Sequence, residues 1–149
     1  MPIIIFSDEC LVEVNLDNGG IWRRRGEYPL GSFYVKHAYP IKCMIWGAIG
    51  PRGFRTTLIK IKGSITAKVY IEMLQHNRIH HQIFQRFGNN YIFQQDNASP
   101  HSAEITKTFL NQTFPNLLNW PAKSPDLSPI EQIWDYLKKN CGCQFYKFR

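Results

Sequence analysis

YIFQQDNASPH, at residues 91–101, contains an apolar strand that ends at an acidic residue and soon gives way to a helix. Residues 91–95 favour a strand because they begin with aromatic and β-branched side chains. Asp96 follows at once, and Ser99 with Pro100 has the pattern of a helix N-cap and a first helical position. A strand that passes directly into a helix predicts an α/β fold.

The sequence before this stretch predicts strands that pair with one another. Residues 3–16 combine a β-branched start with alternating apolar and polar side chains, which indicates one long strand or a broken pair. Residues 17–20 read DNGG, a strong hairpin signal, so residues 21–24 are the predicted returning strand. Residues 43–49 are almost wholly apolar and form a third predicted strand, which residues 54–61 can extend.

The remaining segments are mainly helical. Residues 66–76 and 100–114 have helical periodicity, and residues 117–118 are a predicted short strand. Three prolines within residues 120–129 exclude regular structure there. The last helix starts near Ser128 and carries an apolar stripe of Ile130, Ile133, Trp134 and Leu137.

This order of elements predicts one α/β domain over residues 1–149. Three antiparallel strands followed by β-α-β units form a mixed five-stranded sheet with helices on its faces. Residues 26–40 contain glycine and proline breakers and are a predicted long loop, of a length that is usually functional. The sequence shows no internal repeat and no second-domain boundary.

Composition indicates a globular protein with an anionic partner. Hydrophobic residues make up 44% of the chain, which excludes a disordered protein. Lysine and arginine total 18 against 11 acidic residues, and the net charge of +7 favours nucleic acid, although a merely soluble basic protein has the same balance. No secretory signal or membrane-spanning segment is predicted.

The four cysteines predict an intracellular protein with reduced thiols. Cys10 and Cys43 lie in apolar, strand-like segments and are predicted to be buried. Cys141 and Cys143 are separated by a single residue, which does not match a zinc knuckle, and no second pair has matching spacing.

Three acidic residues fall where a sheet can bring them together. Asp8 follows the start of the first strand, Asp96 ends the strand quoted above, and Glu131 lies in the first turn of the last helix. Sites in open α/β sheets cluster at the carboxyl ends of strands. Carboxylates this close repel one another unless a cation intervenes, and Mg²⁺ prefers carboxylate oxygen. Two such ions about 4 Å apart can activate the attacking oxygen and stabilise the leaving oxygen in phosphodiester cleavage.

Each carboxylate also has a structural explanation. Asp8 can simply end a strand, and Asp96 can belong to a turn. Glu131 can complete a capping box with Ser128. Asp135 competes with Glu131 for the third position, because it lies four residues later on the same helix face. The spacing alone leaves these alternatives open.

Five local motifs occur in order and resemble one known family. They are FSDE at 6–9, IWRRRGE at 21–27, IWGAI at 45–49, FQQDNASPH at 93–101 and WPAKSPDLSPIE at 120–131. Together they resemble the Tc/mariner superfamily of DDE transposases over about residues 6–139. Positions 97–130, the 34 residues between Asp96 and Glu131, match the gap expected for the Tc-like branch.

The resemblance implies an RNase H-like fold in which Asp8, Asp96 and Glu131 form the catalytic and metal-binding triad, and it disfavours Asp135. It implies two Mg²⁺ (or Mn²⁺) ions. The implied substrate is double-stranded DNA, as transposon ends and a TA-containing target. Water would cut the strand at the element end, and the freed 3′ hydroxyl would attack the target, with no covalent enzyme intermediate.

The resemblance also carries expectations about assembly and location. Residues 26–40 match a clamp-like loop that reaches a partner subunit, so a homodimer is expected, and action in the nucleus is expected. Family members carry helix-turn-helix domains before the catalytic domain, whereas this chain begins almost at Asp8. Residues 141–149 form an atypical tail.

Two further hypotheses follow from these departures. The chain can be a truncated, non-catalytic remnant that binds DNA or dimerises. It can also be a different RNase H-like nuclease, such as one that cuts RNA–DNA hybrids, although the proline-rich loop before Glu131 speaks against this.

Several other residues have a functional and a structural interpretation. Arg23, Arg24 and Arg25 can contact DNA phosphates or simply end a solvated strand. Asn97 and His101 can orient a ligand or touch DNA, but helix capping and ordinary polar surface explain them equally well.

The remaining polar and aromatic residues have mainly structural interpretations. Asp126 can stabilise the proline-rich loop or lie near the metal ions. His80 and His81 are predicted in a surface loop, because adjacent residues diverge and make a poor metal pair. The predicted packing residues are Trp46, Trp120 and Trp134.

Overall fold

The computed structural model describes residues 3–14, 41–118, 128–140 and 144–147. Several sequence predictions fall outside these residues: the turn at 17–20, the strand at 21–24 with Arg23, Arg24 and Arg25, the loop at 26–40, Trp120, Asp126, Cys141 and Cys143. They stay predictions.

A five-stranded sheet forms the centre of the fold. Its strands are β1 (Ile4–Val14), β2 (Ile41–Ile49), β3 (Ile59–Ile61), β4 (Ile92–Gln94) and β5 (Gln144–Lys147). They lie in the order β3-β2-β1-β4, and β5 also pairs with β1. β1 is antiparallel to β2 and β5 and parallel to β4. The predicted mixed sheet is confirmed, and β1 is its central strand.

The fifth strand differs from the prediction. Residues 117–118 form only a bridge, in which Leu117 lies opposite Phe93. Phe93 N donates to Asn116 O and Leu118 N donates to Phe93 O, both at 2.9 Å. The fifth strand is β5, which lies in the atypical tail and pairs with residues 10–13 of β1.

The described residues form five helices. They are α1 (Ala67–His76), α2 (Ile79–Phe87), α3 (Ser99–Ser102), α4 (Glu104–Thr113) and α5 (Pro129–Asn140). α1 begins where Thr66 Oγ1 accepts a hydrogen bond from Val69 N at 3.3 Å, as expected of an N-cap. α1 and α5 confirm the first and last predicted helices.

Two helical segments differ from the prediction. His80 and His81 lie in a helix and not in a surface loop, because α2 buries one apolar residue per turn: Ile79, Ile83 and Phe87. The predicted helix over residues 100–114 is broken at Ala103, whose backbone is extended at φ −62° and ψ 143°. The break gives the short helix α3 its own direction.

The two faces of the sheet pack against different helices. One face contributes Trp46 and Phe93 to a larger core with α1, α2 and α4. The opposite face contributes Cys10 to a smaller core with Ile130 and Trp134 of α5. The predicted burial of both tryptophans and of Cys10 is confirmed, whereas Cys43 is only half-buried. No described helix is long and apolar enough to cross a membrane.

Candidate active site

Asp8 lies in the middle of the central strand and faces α5. Side chains alternate along a strand, so Asp8 shares its face with Phe6 and Cys10, which pack against α5. Its side chain is buried, and Trp134 Nε1 donates a hydrogen bond to Asp8 Oδ2 at 3.1 Å. An indole N–H that meets a carboxylate favours the ionised acid.

Asp96 lies two residues after the end of β4, the strand that pairs with β1 in parallel. The parallel register pairs Phe6 of β1 with Gln94 of β4. Two further residues along each strand direction lead to Asp8, still within β1, and to Asp96, just beyond β4, so the two aspartates lie at the same level of neighbouring strands. Asp96 Oδ1 accepts hydrogen bonds from Ala98 N at 3.0 Å and from the His101 ring at 2.6 Å. The Asp96 side chain is 34% exposed, which gives it access to solvent.

Glu131 lies in the first turn of α5, on the helix that covers Asp8. It is half-buried, and Trp134, which contacts Asp8, lies three residues further along the same helix. Asp135 is exposed. Among the described residues Ser128 Oγ has no hydrogen-bond partner, so its half of the capping box predicted for Glu131 is not formed there. The assignment of Glu131 as the third ligand stays a prediction.

A buried ion pair that the sequence did not predict lies behind Asp96. His101 Nε2 is 3.1 Å from Glu9 Oε1, while Nδ1 is 2.6 Å from Asp96 Oδ1. His101 and Glu9 are 3% and 5% exposed. The sequence identifies His101 as a possible orienting residue, but it does not identify Glu9. The alternation of β1 carried a signal for Glu9, since a residue next to Asp8 on a central strand must face the opposite core.

The charge of His101 follows from these contacts. Burial by itself lowers the pKa of His101, but hydrogen bonds to Asp96 and Glu9, together with their negative charges, outweigh burial and raise the pKa to about 10. The ring is therefore a cation at neutral pH. Burial and the charge of Glu9 raise the pKa of Tyr70, which stays a neutral phenol and donates to Gln95 Oε1 at 2.9 Å.

Comparison with known proteins identifies the family of this chain. A protein-family model described as DDE superfamily endonuclease matches residues 3–148. The chain belongs to the DDE endonuclease superfamily. The Tc1 transposase of Caenorhabditis elegans is 31% identical over 151 residues, which cover 93% of this chain and 51% of that protein. The chain thus spans about half the length of the curated relatives it matches.

Solved structures show the same fold for this DDE superfamily member. A Mos1 transposase paired-end complex with the left transposon end has a TM-score of 0.61 and 24% identity, over 93% of this chain and 40% of that one. The Mos1 catalytic domain with raltegravir and Mg has a TM-score of 0.54 and 21% identity, over 66% of this chain and 54% of that one. The RNase H-like fold implied by the motifs is confirmed.

Two sets of residues in this superfamily member offer metal ligands. Within the described part of the chain, one cluster of three potential ligand groups has all its atoms within 4.8 Å of one another: Glu9, Asp96 and His101. An imidazole binds a metal only through a deprotonated nitrogen, and both ring nitrogens of His101 face carboxylates. Asp8 and Asp96 instead offer only hard carboxylate oxygens from adjacent strands, which suit Mg²⁺ or Mn²⁺.

Proposed function

We propose that this chain is the catalytic domain of a cut-and-paste DNA transposase, in which Asp8, Asp96 and Glu131 hold two Mg²⁺ or Mn²⁺ ions. One observation carries the proposal: Asp8 within β1 and Asp96 just after β4 lie at the same level of adjacent strands, and the helix that bears Glu131 donates a hydrogen bond to Asp8. The family membership supports the chemistry, and the Mos1 catalytic domain solved with Mg supports the metal.

The residues around the carboxylates prepare them for a cation. Trp134 donates to Asp8, and Ala98 and the His101 ring contact Asp96, so hydrogen bonds restrain both carboxyl groups. Two bound ions would supply the activation of the attacking oxygen and the stabilisation of the leaving oxygen. The protein itself then needs no nucleophilic side chain, since water and afterwards the 3′ hydroxyl of the DNA attack the phosphorus.

The surface next to Asp96 can accept a DNA strand. A groove of about 270 Å³ runs beside it and is lined by Asn97, Lys107 and Asn111 over an apolar floor. A lysine and two amides suit a phosphate-bearing chain, and the net charge of +7 suits a polyanion. Double-stranded DNA, as transposon ends and a TA-containing target, is the proposed substrate, and Arg23–Arg25 are proposed phosphate contacts.

The oligomeric state and the cellular location are also proposals. We propose a homodimer through the loop at residues 26–40, and action in the nucleus, where the DNA substrate is found. The Tc1 relative and the Mos1 paired-end complex support the DNA substrate.

Cleavage of supercoiled plasmid by the purified chain in Mn²⁺ tests the proposal. Asp96→Asn and Glu131→Gln should lose more than about 100-fold in cleavage rate, because even residues that only orient metal ligands typically contribute 10–100-fold. Asp135→Asn is the matched control, since it removes an exposed charge from the same helix and should cleave like wild type. Equal cleavage by wild type and Asp96→Asn, at background level, would refute the proposal.

The same purified proteins distinguish the alternatives. Metal-independent binding to DNA without any cleavage would favour a non-catalytic remnant, which the half-length match to the relatives motivates. Metal-dependent cleavage of an RNA–DNA hybrid but not of plasmid would favour a different RNase H-like nuclease.

A further inference from the structure

One histidine joins the carboxylates of Glu9 and Asp96. Asp8 and Glu9 are neighbours in sequence, but Asp8 faces α5 and Glu9 faces the larger core, where it meets His101 of α3. His101 in turn contacts Asp96, which follows β4, the strand that pairs with β1. A buried chain of hydrogen bonds, Glu9–His101–Asp96, therefore ends on a proposed metal ligand.

The atoms in this chain have fixed roles. Both ring nitrogens of His101 lie within hydrogen-bond distance of a carboxyl oxygen, Nε2 at 3.1 Å from Glu9 Oε1 and Nδ1 at 2.6 Å from Asp96 Oδ1. Asp96 Oδ1 also accepts from Ala98 N. A carboxylate is planar, and two donors that hold one oxygen restrain rotation of the whole group. The direction in which Asp96 presents its other oxygen is thereby set by His101 and Ala98.

The imidazole ring is itself held in place. Its centroid lies 4.3 Å from that of the Tyr70 ring, at an interplanar angle of 42°. Tyr70 also donates to the side chain of Gln95, the residue before Asp96. His101 N donates to Ala98 O at 2.9 Å, which anchors the backbone of α3 to the turn after Asp96. The contacts with Tyr70, Glu9 and Asp96 together restrain the orientation of the His101 ring.

We propose that His101 is a positioning residue: held by Glu9, it fixes the carboxylate of Asp96 in the orientation that binding of a divalent cation requires. The inference rests on the proposed function and deepens it, because it assigns a role to Glu9, which is not a member of the triad. Outer partners that orient a metal ligand commonly change metal affinity by 10–100-fold.

Two substitutions at one position separate positioning from packing. In His101→Asn the amide nitrogen falls near the place of Nδ1 and can still donate to Asp96. In His101→Gln the longer side chain carries its amide nitrogen near the place of Nε2, toward Glu9 and away from Asp96. Both variants lose the ring that packs on Tyr70, so a purely structural role would affect them alike.

Mn²⁺ binding to the full chain, measured by electron paramagnetic resonance of the free ion, is the main readout. His101→Gln should raise the Kd for Mn²⁺ by about 10–100-fold, and His101→Asn should stay within about threefold of wild type. Urea unfolding in EDTA should show similar losses of stability in both variants. Glu9→Gln, which keeps an acceptor oxygen for His101, should weaken Mn²⁺ binding less than His101→Gln.

Three results would overturn the inference. Equal Mn²⁺ affinity of His101→Gln and wild type would show that His101 does not position Asp96. Equal loss in His101→Asn and His101→Gln would reduce its role to packing. A loss in Glu9→Gln as large as in Asp96→Asn would make Glu9, Asp96 and His101 the cation site themselves.

Variants of the two aspartates test the proposed function separately from the role of His101. If Asp8→Asn and Asp96→Asn leave Mn²⁺ binding and cleavage unchanged, the proposed function is wrong and the positioning role falls with it. If both aspartate variants lose binding while His101→Gln does not, only the role of His101 is wrong.

Discussion

Replacing Trp134 with phenylalanine tests whether α5 holds Asp8 in place. Trp134 is 4% exposed, and its Nε1 donates to Asp8 Oδ2 at 3.1 Å. Phenylalanine keeps an aromatic ring in the smaller core but has no donor for the carboxylate. It is also smaller than tryptophan, so a gap remains between α5 and the sheet.

Two contributions set the expected effect. A hydrogen bond to a charged group contributes about 1.5–3 kcal/mol, and the gap left by the smaller ring costs about 1 kcal/mol. We expect the free energy of unfolding of the metal-free protein to fall by about 2.5–4 kcal/mol. This is a large part of the ~5–15 kcal/mol that stabilises a typical domain.

Urea unfolding in EDTA, followed by circular dichroism, measures this loss. Trp46→Phe is the comparison, because the Trp46 ring is also buried and its Nε1 has no carboxylate partner within the described part of the chain. It leaves a similar gap but removes no hydrogen bond to a charged group, so it should lose less free energy than Trp134→Phe. If both variants lose the same free energy, the hydrogen bond to Asp8 contributes nothing and the reasoning is refuted.

Three further predictions concern the stability of the metal-free protein, all checked by urea unfolding. The pKa of His101 is raised from its ordinary value of 6.5 to about 10. The contribution of His101 to the free energy of unfolding is therefore complete below pH 6.5 and is lost as the pH rises through 10. His101→Asn should show a shallower decline of stability over this range, and an identical decline would contradict the assignment. Thr106→Val should cost about 1–3 kcal/mol, because the buried Oγ1 donates to Pro100 O at 2.7 Å; no loss would mean that this bond does not hold α4 to α3. Gly47→Ala should cost about 1–2 kcal/mol, since its Cβ would lie 3.3 Å from the buried Trp134 ring, and a neutral result would show that the ring can yield.

Patterns within one segment were sufficient for much of the fold. The alternation along β1, the apolar run of β2 and the periodicity of α1 and α5 are local properties, and the structure has these elements at nearly the predicted positions. The helix α2 was missed because the adjacent polar residues His80 and His81 obscured the buried residues on either side of them. The break at Ala103 was missed because no glycine or proline marks it.

Local patterns were less informative about the site. They left structural explanations open for Asp8 and Asp96, and only the family resemblance assigns both residues to the predicted triad. The partner of His101 could not be predicted, because Glu9 lies 92 residues away in the chain. Its burial depends on α3, which brings His101 to that face of β1, and no local pattern in β1 shows this. Three features of the predicted site lie outside the described residues and stay predictions: Arg23–Arg25, the loop at 26–40 and Asp126.

One peptide bond separates two acidic groups with unrelated neighbours, since Asp8 meets Trp134 and Glu9 meets His101. Insertion or deletion of one residue between Ile4 and Asp8 would make each following side chain of β1 point to the opposite face of the sheet. Asp8 would then face the larger core, and Glu9 would face α5. Such an in-frame change would damage the protein as severely as loss of the carboxylate, although every acidic residue would still be encoded. The length of this segment is therefore as good a criterion of an intact gene copy as the acidic residues themselves.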